Sequence, residues 1–347
     1  MRCARVIGLY ARRICNYSAH MQVSRFRTGQ QAGGGIRRMP PAVFPPLLGF
    51  LGLGLVWRNA PGAPGVLHDL AEAALGIGAG LFGLALVLYA VKVVLRPGVL
   101  VEEIANLPGR SGLAAMAMAV MLAAAALAPY APVAAPRLLA LALAMHGALA
   151  LACGWRLATG PAEARRVSPA DHLVFVGGIA GVVPAIALGL DWLTALLMWT
   201  GLASSGAIYA MSLRQIVRYP VPPPLRPLLA IHLSPVSLAG TAAVMLGHGG
   251  LALGLGLAAL VLAVLLLVRL PWLCATGFSP FWGAFTFPMV AFAGCMLLLG
   301  EGGSGVLRGA GIAALVLASV TVPVILARVM RLWLRGNLAV ASNAAVA

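Results

Sequence analysis

Charge is what this sequence lacks. Of its 347 residues only 9% are Asp, Glu, Lys or Arg, against about 25% in an ordinary soluble domain, and no more than eight are acidic. So little polar surface cannot cover a water-soluble globule, which excludes a soluble enzyme. Lysine is nearly missing: Lys92 is the only one among 24 basic residues. The excess of Ala, Gly, Pro and Arg matches the codon bias of a GC-rich genome, so a bacterial origin is expected. Close cysteine pairs are missing too. Cys3, Cys15, Cys153, Cys274 and Cys295 form no short-spaced pair, so neither a zinc site nor a disulfide framework is expected, and they read as small apolar filler. Nor do His, Asp, Glu or Ser gather at one depth as a membrane-embedded enzyme requires. The expectation is a non-enzyme with no cofactor and no metal.

What the chain has is apolar length. Hydrophobic residues make up 61% and the mean hydropathy is +0.98. A bilayer crossing takes about 20 apolar residues, and ten stretches approach that length: 41–57, 72–94, 111–129, 137–155, 171–189, 192–213, 227–246, 249–268, 279–299 and 307–327. The expected fold is an all-α polytopic membrane protein with ten transmembrane helices. Its connections are short and marked by Pro, Gly or charge, at 61–65, 97–110, 129–136, 161–166 and 220–227. None could house a separate domain. One transmembrane domain over 39–335 is therefore expected, between an N-terminal segment 1–38 and a C-terminal tail 336–347. Residues 1–38 carry eight arginines, no acid and a Gly33–Gly35 run, a composition that predicts disorder. They read as a cytoplasmic tail or as sequence upstream of a start at Met21 or Met39; a mitochondrial transit peptide is a further alternative.

The net charge of +16 reports topology rather than nucleic-acid binding, because the basic residues lie between apolar runs. With the amino terminus inside, 21 of the 24 basic residues fall on the cytoplasmic side and only Arg58, Arg137 and Arg308 fall outside. Without the tail the division is 13 against 3. The positive-inside rule thus places both termini in the cytoplasm, across a bacterial inner (plasma) membrane.

All eight acids sit at span ends or in loops, so a carboxylate relay across the bilayer is absent, which argues against a proton pump. Ionisable groups at membrane depth are usually functional, and two histidines qualify. His146 lies mid-span in the fourth stretch. His232 lies about one turn into the seventh, where it is a candidate pore-mouth residue; a packed histidine bonded to nearby backbone is the plainer reading of both. Proline is more informative, since within a helix it removes a hydrogen bond and bends the axis. Pro184, Pro235 and Pro288 fall inside the fifth, seventh and ninth stretches, and Pro45 and Pro46 interrupt the first, whereas the second, fourth, sixth and eighth contain none. Pro323 in the tenth breaks the pattern, and the third has no internal proline. Broken helix at membrane depth is tolerated where it is buried in protein or lines a cavity, so the odd helices are expected around a pore. Gly76 with Gly80, and Gly250 with Gly254, have the spacing that lets helices approach closely. Gly300–Gly305 reads as an external turn, since no strand precedes it and no Lys follows as a phosphate loop requires.

The densest aromatic cluster runs Gly277-Phe278-Ser279-Pro280-Phe281-Trp282-Gly283-Ala284-Phe285-Thr286-Phe287-Pro288. Its Trp-x-x-Phe-x-Phe core after a short basic-ended loop resembles the ninth helix of the tellurite-resistance/dicarboxylate transporter family, which includes bacterial TehA and the plant slow anion channels. Further likenesses follow in register: Pro41 to Arg58, Tyr89 to Lys92, Val101 to Glu103, and Arg226 to Pro235. The resemblance covers about residues 39–335. It implies a homotrimer in membrane lipid, each protomer with its own pore built from five helical hairpins, odd helices inside and even ones outside. It also implies a gated channel or passive carrier for small inorganic or organic anions, with Phe287 as the residue that plugs the pore. A proton-coupled C4-dicarboxylate or tellurite transporter of the same family is the alternative, as is an unrelated ten-helix metabolite exporter. Pro288 stands where some bacterial members have Gly. The residue before a proline is steered from helical geometry, which on its own terms makes Phe287 a ring held at a kink. Phe281 and Phe285, about 240° and 200° around an ideal helix from Phe287, are expected to face elsewhere.

Overall fold

In the computed structural model of the chain, residues 36–62, 65–160, 168–218 and 220–347 are described. The segment 1–35, the loop 161–166 and part of the connection 61–65 lie outside the described residues. The protein is helical, with no strand among the described residues. Nine of those helices are long and apolar enough to cross a membrane: Pro41–Arg58, Gly65–Leu95, Leu107–Leu127, Ala134–Thr159, Asp191–Arg214, Pro223–Met245, Gly249–Val268, Pro280–Glu301 and Gly305–Leu334. They correspond to the expected stretches one to four and six to ten, and are numbered so below.

The fifth stretch is not a continuous span. It is an α-turn at Asp171–Phe175, a 3-10 segment at Gly177–Gly181 and a short α-helix at Val182–Ala187. The break falls at three glycines, which are poor helix formers, not at Pro184, which sits in the first turn of the last piece where its missing N–H costs little. Packing explains the glycines. A Cβ on Gly177 would lie 2.7 Å from His146 Cε1 and 2.8 Å from Met118 Sδ, and one on Gly181 would lie 2.9 Å from Leu197 Cδ1. The fifth segment thereby settles against the third, fourth and sixth helices.

The first, seventh and ninth helices are irregular near their starts as well, whereas the third, Leu107–Leu127, is an unbroken α-helix. The first begins with a 3-10 turn at Pro41–Val43, and Pro45 and Pro46 lie in the opening turn of its α-helix; they start the helix rather than interrupt it. The seventh is 3-10 from Pro223 to His232 and α from Leu233, with Pro235 just past the junction. The ninth opens with the 3-10 turn Pro280–Trp282 and carries Pro288 inside its α-helix. By contrast the second, fourth, sixth, eighth and tenth are unbroken α-helices of 20 to 31 residues.

These two sets occupy different layers. In the first, third, seventh and ninth helices 72–78% of the apolar window is buried inside the protein, and in the even helices 22–33%. The first packs on the third, the third on the fifth segment, the fifth on the seventh, the seventh on the ninth, and the ninth returns to the first. This is a closed ring of five. Each even helix lies outside against its hairpin partner, with apolar side chains such as Val94, Leu151 and Val268 exposed. The glycine pairs behave differently from expectation: a Cβ on Gly76, Gly80, Gly250 or Gly254 would meet nothing within 4 Å, so these pairs form no tight contact within the protomer. The close approaches are made instead by Gly54 on Leu75, Gly78 on Phe50 and Gly256 on Leu299.

Candidate functional site

All five odd segments run in the same direction, so their N-terminal ends share one end of the ring. There a small cavity opens on the axis, and every odd segment lines it: Pro45 from the first, Ser111 from the third, Leu173 from the fifth, Ile231 from the seventh, and Phe281 and Ala284 from the ninth. No charged side chain is among its lining residues. The α-helical starts of the first, third, seventh and ninth helices bring their partial positive charge to this vestibule.

The C-terminal residues form part of its wall. Gly336, at φ +71°, ends the tenth helix in the left-handed conformation that glycine adopts freely. The chain then turns into a short helix, Asn337–Ala341, with Leu338 fully buried, where a plain tail was expected. Ala341 and Ser342 line the vestibule. Asn106 holds this segment by donating from Nδ2 to the carbonyls of Ser342 (3.2 Å) and Asn343 (2.8 Å). Deeper anchoring comes from a buried cluster: Lys92 Nζ donates to Glu103 Oε1 (2.5 Å) and to the Met39 carbonyl (2.8 Å), Tyr89 donates to the other Glu103 oxygen, and the Ala345 N–H also reaches Glu103. Burial pushes the Glu103 carboxyl above the usual carboxylate range, against these three donors and the Lys92 charge.

Beyond the vestibule, three residues past Ala284 and so nearly one helical turn on, stands Phe287. It is 4% exposed, and Gly52 of the first helix lets it in: a Cβ there would lie 3.3 Å from Phe287 Cδ2. Thr286 beside it is fully buried and donates to the carbonyls of Gly283 (2.7 Å) and Pro45 (3.2 Å), tying the ninth helix to the first. Phe285 packs instead against Trp282, with ring centroids 5.9 Å apart. Phe281 departs from the ideal-helix expectation. It belongs to the 3-10 turn Pro280–Trp282, where residues advance by 120° rather than 100°, and it lines the vestibule.

The three predicted kink prolines thus lie in odd segments, Pro184 and Pro235 just after 3-10 to α junctions and Pro288 one residue past Phe287. His232 is brought next to the vestibule without lining it. Its neighbour Ile231 does so, while the His232 ring sits behind, its Nδ1 2.7 Å from His172 Nε2 and its Nε2 3.1 Å from Ser212 Oγ. Tyr209 donates to the His232 carbonyl. His146 packs at the fourth helix's interface with Gly177 and Gly178. His172 escaped the sequence reading, since nothing local marks a histidine at the start of an apolar stretch as the partner of one 60 residues on. No group of three or more His, Cys, Asp or Glu among the described residues could hold a metal ion.

A sequence-family profile described as a voltage-dependent anion channel (SLAC1) matches residues 38–330, the span that holds the whole ring. No curated protein matches the chain. The profile covers well over half of the sequence, and the chain is an integral membrane protein of the voltage-dependent anion channel (SLAC1) family, the tellurite-resistance/dicarboxylate transporter group of anion channels and transporters that includes TehA and the plant slow anion channels.

Proposed function

We propose that this chain conducts small anions along the axis of the odd-helix ring, that its vestibule faces the cytoplasm, and that Phe287 is the gate. The observation that carries this reading is the axial cavity lined by all five odd segments and followed, along the ninth helix, by a buried phenylalanine in the slot opened by Gly52. Pro288 lacks the N–H that would bond the Ala284 carbonyl, which leaves the helix compliant just where a ring must swing aside. Selectivity for anions comes from the converging helix starts and from the basic residues at that end, among them Arg96, Arg110 and Arg226, which concentrate anions locally. The C-terminal segment forms part of the vestibule wall, since Ala341 and Ser342 line it. The functional unit is a trimer with one pore per protomer, joined through even helices whose outward glycines leave room for a neighbour.

The experiment is reconstitution into liposomes with chloride and nitrate flux measured per folded complex, the mass of which is determined in mild detergent. Phe287→Ala raises flux about tenfold, the effect of lowering a barrier by ~1.4 kcal/mol, whereas Phe285→Ala, which loses its Trp282 contact, does not. A normally folded Phe287→Ala protein that conducts no better than wild type rules out the gate, and a monomeric mass rules out the trimer.

A further inference from the structure

Behind the vestibule wall lies a polar network that the conduction path does not use. His172 opens the fifth segment and His232 closes the 3-10 half of the seventh; they are 1% and 8% exposed. Each is adjacent in sequence to a vestibule-lining residue, Leu173 and Ile231. Their rings meet edge to face at 85°, with His172 Nε2 2.7 Å from His232 Nδ1. Ser212 Oγ of the sixth helix stands 3.1 Å from His232 Nε2, and His172 Nδ1 is buried with no hydrogen-bond partner.

Proton accounting on this chain is restrictive. A neutral imidazole has one N–H and one lone pair, so two arrangements are open. In one, His232 Nε2–H donates to Ser212, His172 Nε2–H donates to His232 Nδ1, and His172 Nδ1 is a bare lone pair. In the other, Ser212 O–H donates to His232 Nε2, His232 Nδ1–H donates to His172 Nε2, and His172 Nδ1–H has no acceptor. Either way the loose end is His172 Nδ1. The first arrangement has room for one further proton at that atom, which completes His172 as an imidazolium without breaking any existing hydrogen bond.

The surroundings do not neutralise that charge. From the third helix the nearest charge is Arg110, already paired with Asp171 (3.1 Å), whose other oxygen accepts from the Ser168 N–H. The fourth helix brings buried Cys153 and, nearer the surface, Arg156; the sixth brings Tyr209, which donates to the His232 carbonyl, and exposed Arg214. The 3-10 segment brings Arg226, held over the Trp272 ring at 4.4 Å. Among the described residues no carboxylate is left over to balance an added proton. A buried charge without a counter-charge is costly, and an anion in the adjoining vestibule is the counter-charge that this place lacks.

We propose that the His172–His232 pair binds one proton together with the anion in the vestibule, so that proton and anion each raise the other's affinity. This rests on the reading of the vestibule as an anion path. One proton is taken from the aqueous phase and one imidazolium forms. Linkage requires the two effects to be equal, and couplings between sites typically run from about 5- to 150-fold.

The test uses purified full-length protein in liposomes, with chloride and nitrate as probes because neither titrates in the range used, in wild type, Phe287→Ala, His172→Gln, His232→Gln and Ser212→Ala. Apparent chloride affinity in wild type and in Phe287→Ala should rise at least about fivefold from pH 8 to pH 5, and His172→Gln should flatten that profile while still conducting at pH 8. Ser212→Ala, which removes only the far end of the chain, keeps the test open if a histidine variant misfolds: it should shift the profile. Measurable flux with the same pH profile in wild type, His172→Gln and Ser212→Ala overturns the proton site and leaves the channel reading standing. Absence of chloride and nitrate flux in Phe287→Ala at every pH overturns both.

Discussion

The eighth helix, Gly249–Val268, and the ninth, Pro280–Glu301, are nearly equal in length and both apolar, yet 22% of the eighth's window is buried against 72% of the ninth's. The more hydrophobic of the two, at 3.0 against 1.8, is the one outside. Water drives apolar surface inward in a soluble protein, but lipid is as apolar as leucine, so hydropathy cannot sort helices in a bilayer. Shape sorts them instead. The ninth helix has a 3-10 start, Pro288, and glycines that admit neighbours: a Cβ on Gly283 would lie 3.1 Å from Pro45 and Pro46, and one on Gly294 would lie 3.2 Å from Val56. The eighth is regular, and Gly250 and Gly254 face open space. Irregular backbone needs protein around it to satisfy its polar groups, whereas an uninterrupted helix satisfies its own and can face lipid.

Two pairs of substitutions test this contrast. The larger effect is electrostatic. Lys92 and Glu103 are both fully buried at 2.5 Å, whereas Arg96 and Glu102, also at 2.5 Å, are about half exposed. Lys92→Met removes the counter-charge of the buried Glu103 carboxyl, which keeps only its Tyr89 and Ala345 hydrogen bonds, and should cost about 3–5 kcal/mol; Glu102→Gln should cost less than ~1 kcal/mol. Thermal unfolding in detergent separates them, and equal shifts would mean that the inner pair is not enclosed. The smaller effect is steric. A Cβ at Gly112 of the third helix would overlap the Pro41 backbone, whereas one at Gly254 meets nothing within 4 Å. Gly112→Ala should therefore destabilise by about 1–3 kcal/mol and Gly254→Ala should stay within about 0.5 kcal/mol. A destabilised Gly254→Ala in monomeric protein would show that the outer glycines have partners inside the protomer.

Helix count and layer were largely legible in the sequence because they depend on local features. Nine apolar stretches became long helices, and the prolines at 184, 235 and 288 mark segments that are inside the ring. The fifth segment was misread at the point where sequence is weakest: Gly177, Gly178 and Gly181 break it because His146, Met118 and Leu197 press against them, and those contacts come from elsewhere in the chain. Phe281 departs from ideal-helix geometry for a similar reason, since its 3-10 turn depends on how the chain enters the ninth helix. The His172–His232 pair and the Lys92–Glu103–Tyr89 cluster were not legible as sites, although Lys92, Glu103 and His232 each stood out, because pairing across 60 or 11 residues is a product of the ring's closure.

If anions pass inside the odd-helix ring, Phe287 divides their path into a vestibule side and a far side. Single cysteines report it directly, in a background in which the five native cysteines are replaced. Ala284→Cys lines the vestibule, and Ala291→Cys lies seven residues on, back on the same face of the ninth helix and beyond Phe287; Val261→Cys, on the exposed face of the eighth, is the outside control. A charged thiol reagent added from the vestibule side should modify Ala284→Cys whether or not Phe287 is present, should modify Ala291→Cys only when Phe287→Ala is combined with it, and should leave flux through Val261→Cys unchanged. Equal modification of Ala291→Cys with and without the Phe287 ring would mean that Phe287 does not divide the path.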